Sequence, residues 1–64
     1  MNYLKDLIEK YKQITVACND YLDPNIPIVT LHMLNSQTKL EQYGFWDKMG
    51  KFIPLSAVIK VHPL

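Results

Sequence analysis

Asp47-Lys48-Met49-Gly50-Lys51 is the stretch that most restricts what this chain can fold into. An aspartate that opens a type I turn and a glycine that closes it in the left-handed region make a common short hairpin connection, and the flanks Phe45-Trp46 and Phe52-Ile53 are β-prone. The pattern predicts an antiparallel hairpin around residues 47–51. Pro54 interrupts its second strand, so Leu55 to Ala57 is expected to bend before Val58 to Val61 extends again.

The opposite end of the chain has a different period. Leu4, Leu7, Ile8, Tyr11, Ile14, Thr15, Cys18, Tyr21 and Leu22 fall at steps of three and four, with Lys5, Asp6, Glu9, Lys10, Lys12 and Gln13 on the other face. That spacing predicts one amphipathic helix over residues 2–20, with Asn2 as N-cap and Asp6 placed before Lys10 at i and i+4. Ile14, Val16 and Cys18 also alternate as a strand would, and the β-branched run at 14–16 lowers helix propensity. The continued stripe to Leu22 favours the helix, and Asp23-Pro24-Asn25 is expected to end it.

Between these ends, Ile28 to Leu34 reads as a strand, with Pro27 at its first position. Val29, Leu31 and Met33 make one wholly apolar face, expected to meet the helix, and Ile28, Thr30, His32 and Leu34 line the other. Thr38 to Glu41 has capping-box spacing, yet a strand over Lys39–Trp46, bulged at Gly44, suits the hairpin better. The expected fold is therefore α+β: an N-terminal amphipathic helix packed on a three- or four-stranded antiparallel β-meander, forming a single domain over residues 1–64.

Gly50-Lys51-Phe52-Ile53-Pro54-Leu55-Ser56-Ala57-Val58 resembles the late part of the small barrels that bind proline-rich peptides. In that family a Gly and an Ile-Pro precede a one-turn bend and a Val-bearing strand, and aromatic residues supply the binding groove. Five barrel strands of about five residues do not fit in the stretch after Pro27, so a meander remains the expectation, and no binding residue is transferred.

Size bears on partners. A chain of this mass is expected to expose roughly 4,200 Å² folded and about 10,900 Å² unfolded. Burial of the apolar share at ~25 cal/mol per Å² contributes about 90–100 kcal/mol as an upper bound. Ordering the chain at ~1.5 kcal/mol per residue costs about as much. Cys18 is the sole cysteine, so no intrachain disulfide can tip that balance, and His32, His62 and Cys18 lack metal-ligand spacing. Neither a metal nor another cofactor is expected, and self-association becomes the favoured source of extra stability.

Charge and hydropathy narrow the function. Seven lysines are interspersed with six acids and there is no arginine, which disfavours a nucleic-acid footprint. The longest nearly apolar run, Ile26 to Leu34, falls far short of the ~20 residues of a membrane span, and no signal peptide is recognisable, so a cytoplasmic setting is expected. No motif for a catalytic site stands out. His32 has no Ser, Cys or acid beside it in sequence and reads as a surface or interface histidine, and Cys18 as a buried thiol.

The aromatic residues are the better lead. Alternation sets Trp46 on the sheet face opposite Phe45, and one helix cannot cover both faces, so Phe45 and Phe52 are expected in the core and Trp46 outside. Trp46, Leu40, Tyr43 and His32 are the candidate interaction residues. The expected function is that of a small interaction module of the accessory, regulatory or inhibitor kind, self-associating and binding another protein. A nucleic-acid-binding regulator acting as a dimer is the first alternative, and a small-ligand sensor or enzyme the second.

Overall fold

The computed structural model describes residues 2–21, 23, 25, 26 and 28–63. Helix α1 spans Tyr3–Tyr11, and six strands follow: β1 Gln13–Cys18, β2 Thr30–Asn35, β3 Leu40–Glu41, β4 Gly44–Trp46, β5 Phe52–Pro54 and β6 Val58–Pro63. They form two antiparallel three-stranded sheets, ordered β2-β1-β6 and β3-β4-β5, and one 3-10 turn at Leu55–Ala57 carries the chain from the second sheet to the first. The α+β class with its helix first is what the structure has. No helix among the described residues is long and apolar enough to cross a membrane.

Asn2 caps α1 as expected, its Oδ1 accepting from the Leu4 N–H at 2.9 Å. The helix is much shorter than its stripe. It stops at Lys12, whose N–H donates to the Ile8 carbonyl at 2.8 Å while the residue itself takes φ 70°. The second half of the predicted helix, residues 13–18, is instead the central strand of the first sheet. There Ile14, Thr15 and Val16 gain ladders on both sides, from β2 and β6, and this tertiary pairing outweighs a stripe that a strand's inward residues Ile14, Val16 and Cys18 satisfy as well. The part of the stripe at Leu22 and the prolines at 24 and 27 lie outside the described residues.

A lysine at positive φ is strained by about 1 kcal/mol or more, and glycine is not. Lys12→Gly is expected to stabilise the fold by about 1 kcal/mol, raising the melting temperature by roughly 4–8 °C. A melting temperature that stays put or falls would mean that the reversal at residue 12 carries no strain.

Leu4 and Ile8 of α1, Ile14, Val16 and Cys18 of β1, Leu34 of β2, Phe45 of β4 and Ile53 of β5 form one core shared by both sheets. This settles the facing of β2, and it is the reverse of the sequence expectation. Val29, Leu31 and Met33 point outward, exposed at 51%, 69% and 55%. A strand has one choice of phase, and the inward phase here takes Leu34 opposite Ile14 and His32 opposite Val16. Thr30 and His32 are tolerated inside because both find partners: the Thr30 Oγ1 donates to the Cys18 carbonyl at 3.3 Å, and His32 meets Asp20.

The predicted hairpin is present. Asp47 N–H donates to the Lys51 carbonyl at 2.9 Å, the Asp47 carboxylate accepts from the N–H groups of Met49 and Lys51, and Gly50 closes the turn at φ 81°. Upstream of it, the single bulged strand expected over Lys39–Trp46 is two short strands, β3 and β4, folded back at Gln42-Tyr43. The register shift lies at Ala17/Cys18 and not at Gly44. The β3-β4-β5 sheet is an antiparallel meander, as expected; with β1, which precedes Pro27, the described residues hold six strands in two sheets, and the bend implied by the Ile53-Pro54 resemblance is the 3-10 turn.

Candidate interaction surface

Trp46 lies on the outer face of the second sheet. Pairing sets Leu40 opposite Phe45 and Phe45 opposite Ile53 on the inner face, and Trp46 opposite Phe52 on the outer one. Two expectations are thereby corrected. Leu40 packs inward against the core instead of sharing a face with Trp46, and Phe52, expected in the core, is half-buried outside it. The cause is the two-residue turn at Gln42-Tyr43, which returns the chain with Leu40 directly across from Phe45.

Trp46 is a held side chain. Its ring meets Phe52 edge-on at 5.2 Å and 66°, its Nε1–H donates to Glu41 Oε1 at 3.4 Å, and the Lys39 ammonium stands 5.4 Å from the ring centroid. Holding the ring in place before binding lowers the ordering cost that a partner contact would otherwise carry.

Beside Trp46 runs the free edge of β2. Strand β2 pairs only with β1, so among the described residues no strand covers its other side. Two open grooves lie against that edge: one of about 430 Å³ between Met33, Lys39, Trp46 and Lys48, and one of about 270 Å³ between Leu31, Met33, Lys48 and Met49. They share Met33, Asp47 and Lys48, and together make one trough from Trp46 to Leu31. Met49, at the hairpin tip, is 90% exposed. Two methionines, a leucine and a tryptophan give the trough an adaptable apolar lining with lysines on its rim. A further groove of about 580 Å³, which shares Asn35 and Thr38 with the first, is lined by Lys5, Ile8, Glu9 and Lys12 of the helix end and by Ser36 and Leu40, and its walls mix both signs of charge.

His32 lines the second of these grooves, although its side chain is mostly buried. Its ring packs edge-on to Phe45 at 5.5 Å, and its Nε2 lies 3.1 Å from Thr30 Oγ1 and 3.2 Å from Asp20 Oδ2. The His32 and Asp20 side chains are 15% and 9% exposed. A proton relay needs the carboxylate on one ring nitrogen and the nucleophile on the other. Both partners meet the same nitrogen here, so the trio is a structural tie between the loop after β1 and β2, not a relay. Burial works to raise the Asp20 pKa, but hydrogen bonding from Thr30 and His32 and the charges of Lys51 and His32 outweigh it, and the carboxyl sits below its ordinary value.

A folded-state pKa lowered in this way contributes stability that is complete above the unfolded value, near 4, and is lost as pH falls through the folded one. Urea midpoints measured from pH 6 down to pH 2 are therefore expected to fall less steeply for Asp20→Asn than for the parent chain. Parallel curves would show that the tie contributes nothing to acid sensitivity.

Of the four candidate residues, Tyr43 is exposed at the β3–β4 turn apart from the trough, Trp46 is half-buried and lines it, His32 lines its Leu31 end with a mostly buried side chain, and Leu40 packs against the core and lines the groove at the helix end. Leu31, Met33 and Met49 line the trough and are not among those four. Leu31 and Met33 looked like core by hydrophobicity, and the signal that could have exposed them is the parity of Leu34, which opposes theirs. Among the described residues no three His, Cys, Asp or Glu side chains come together to hold a metal ion. Comparison of the chain with protein-family models, with curated proteins and with solved structures gave no match.

Proposed function

We propose that this chain is a small protein-interaction module of the accessory or regulatory kind, which self-associates and binds another protein along the trough between β2 and Trp46. The observation that carries this reading is the uncovered edge of β2, where Leu31 and Met33 are 69% and 55% exposed next to a held tryptophan. Apolar side chains, free backbone groups and an aromatic anchor are the elements by which an extended segment of a partner adds to a sheet. A cytoplasmic setting belongs to the same proposal; a lone cysteine kept as a buried thiol supports it.

Trp46→Ala tests the reading. A pull-down from the native host, quantified by mass spectrometry for the parent chain and the variant, is expected to lose its specific partner at least tenfold, as truncation of an anchor does. Only about 1 kcal/mol of fold stability should go with the lost stacking on Phe52. Equal recovery of the same proteins by both chains, or a variant that loses its fold first, would return Trp46 to a structural role.

A further inference from the structure

From the edge of β2 we infer that its occupant is a second copy of this chain, paired antiparallel about a twofold axis at Leu31, so that two three-stranded sheets join into one of six strands. The inference rests on the interaction reading above and adds the partner and the register.

The two edges of the first sheet differ. The β6 edge carries Lys60, His62 and Pro63 and a register shift beside Ala17/Cys18, the devices by which edge strands resist pairing. Strand β2 itself has none of them: Leu31 and Met33 present no charge, no proline and no bulge, and the charges beside the edge, Asp47 and Lys48, belong to the hairpin.

Backbone polarity agrees. Asn35 N–H donates to Thr38 Oγ1 and the Asn35 carbonyl accepts from Thr38 N–H, so the Asn35 groups point away from β1. Antiparallel ladders alternate, and the N–H and C=O groups of Met33 and Leu31 therefore also face the free edge; Val29, just before β2, follows in the same phase if the strand extends by one residue on pairing. On the far side of β1, Asn19 N–H donates to the Ala57 carbonyl, which fixes the same alternation from the other direction.

Asn35 is already occupied by Thr38, so the free set is 29, 31 and 33, and its centre is Leu31. A twofold there places Leu31 against Leu31 of the second copy and Val29 against its Met33, each an exchanged pair of hydrogen bonds, with the apolar side chains meeting on the outer face. Met49 of the hairpin tip borders the same edge.

Area sets the strength. A contact confined to one strand edge on each copy is small beside the ~1,200–2,000 Å² of stable interfaces, which makes the pairing a weak, concentration-dependent one.

Sedimentation equilibrium across micromolar to millimolar protein, with Leu31→Lys alongside, reads the association. The parent chain is expected to pass from monomer to dimer, and Leu31→Lys to dissociate at least tenfold more readily with an unchanged circular dichroism spectrum, since Leu31 lies outside the core. Cross-linking reads the register. In a twofold at residue 31, Leu31→Cys copies meet at Cα separations of about 5.5 Å and form a disulfide under mild oxidation. Met33→Cys copies lie four residues out of register, roughly 13 Å apart, and cross-link only when mixed with Val29→Cys. The Cys18 thiol, buried and pushed up to about 11 by desolvation and by Asp20, stays out of the exchange. A chain monomeric at millimolar concentration, or a dimer that Leu31→Lys leaves intact, overturns the inference, and so does self-cross-linking by Met33→Cys. If the chain is monomeric and Trp46→Ala still loses a captured partner, the interaction reading stands and only the second copy falls.

Discussion

Asn2→Ala is expected to lower the stability of this protein by about 3 kcal/mol, through one side chain that joins the helix to the second sheet. The Asn2 Oδ1 accepts from Leu4 N–H at 2.9 Å, and its Nδ2 donates both to the Glu41 carbonyl and to the Gly44 carbonyl, each at 2.9 Å. Loss of an N-cap alone costs about 1 kcal/mol. Leaving acceptors unpaired adds about 1–3 kcal/mol more, and the Gly44 carbonyl is in a buried bond. Asn2→Ser separates the two contributions, because a serine hydroxyl still caps the helix but is too short to reach the β3–β4 hairpin. Urea denaturation is expected to rank the parent chain above Asn2→Ser, and Asn2→Ser above Asn2→Ala. A serine variant as stable as the parent would sink the idea of a clamp and leave a simple cap.

The second large effect is at the other end of that clamp. Gly44→Ala is expected to cost about 3 kcal/mol, the upper part of the range for forced overpacking, and to lower the melting temperature by roughly 12–24 °C. A Cβ on Gly44 would run into the Ile53 carbonyl oxygen and stand 2.6 Å from a ring carbon of Phe52. The ring can turn a little, but the carbonyl belongs to the β4–β5 ladder and cannot move without opening it. Because the Gly44 carbonyl is also an Asn2 partner, the two substitutions are expected to be non-additive in a double-mutant cycle. A Gly44→Ala chain that melts within a few degrees of the parent would mean that the sheet has slack at this point.

Much of the fold was legible in local chemistry. The Asp47–Lys51 turn, the Asn2 cap and the bend after Pro54 each rest on residues within a few positions of one another, and a sequence displays such relations directly. The site was less legible. The outward face of Trp46 was legible because alternation around a well-marked turn fixes it. Leu40 was misplaced because the Gln42-Tyr43 reversal has no glycine or proline signature, and without that reversal Leu40 falls in the wrong phase.

What the amino-acid order determined by itself was the start of the helix, the late hairpin and the α+β class, since capping, turn formation and hydrophobic period all act over one or two turns of chain. Tertiary structure alone decided that residues 13–18 leave the helical stripe to become a central strand, because the ladders from β2 and β6 come from residues up to about fifty positions away. It also decided the outward facing of Leu31 and Met33. Both phases of β2 offer apolar residues, and the choice went to the one in which Leu34 meets Ile14, with Asp20 and the Cys18 carbonyl satisfying the polar side chains turned inward.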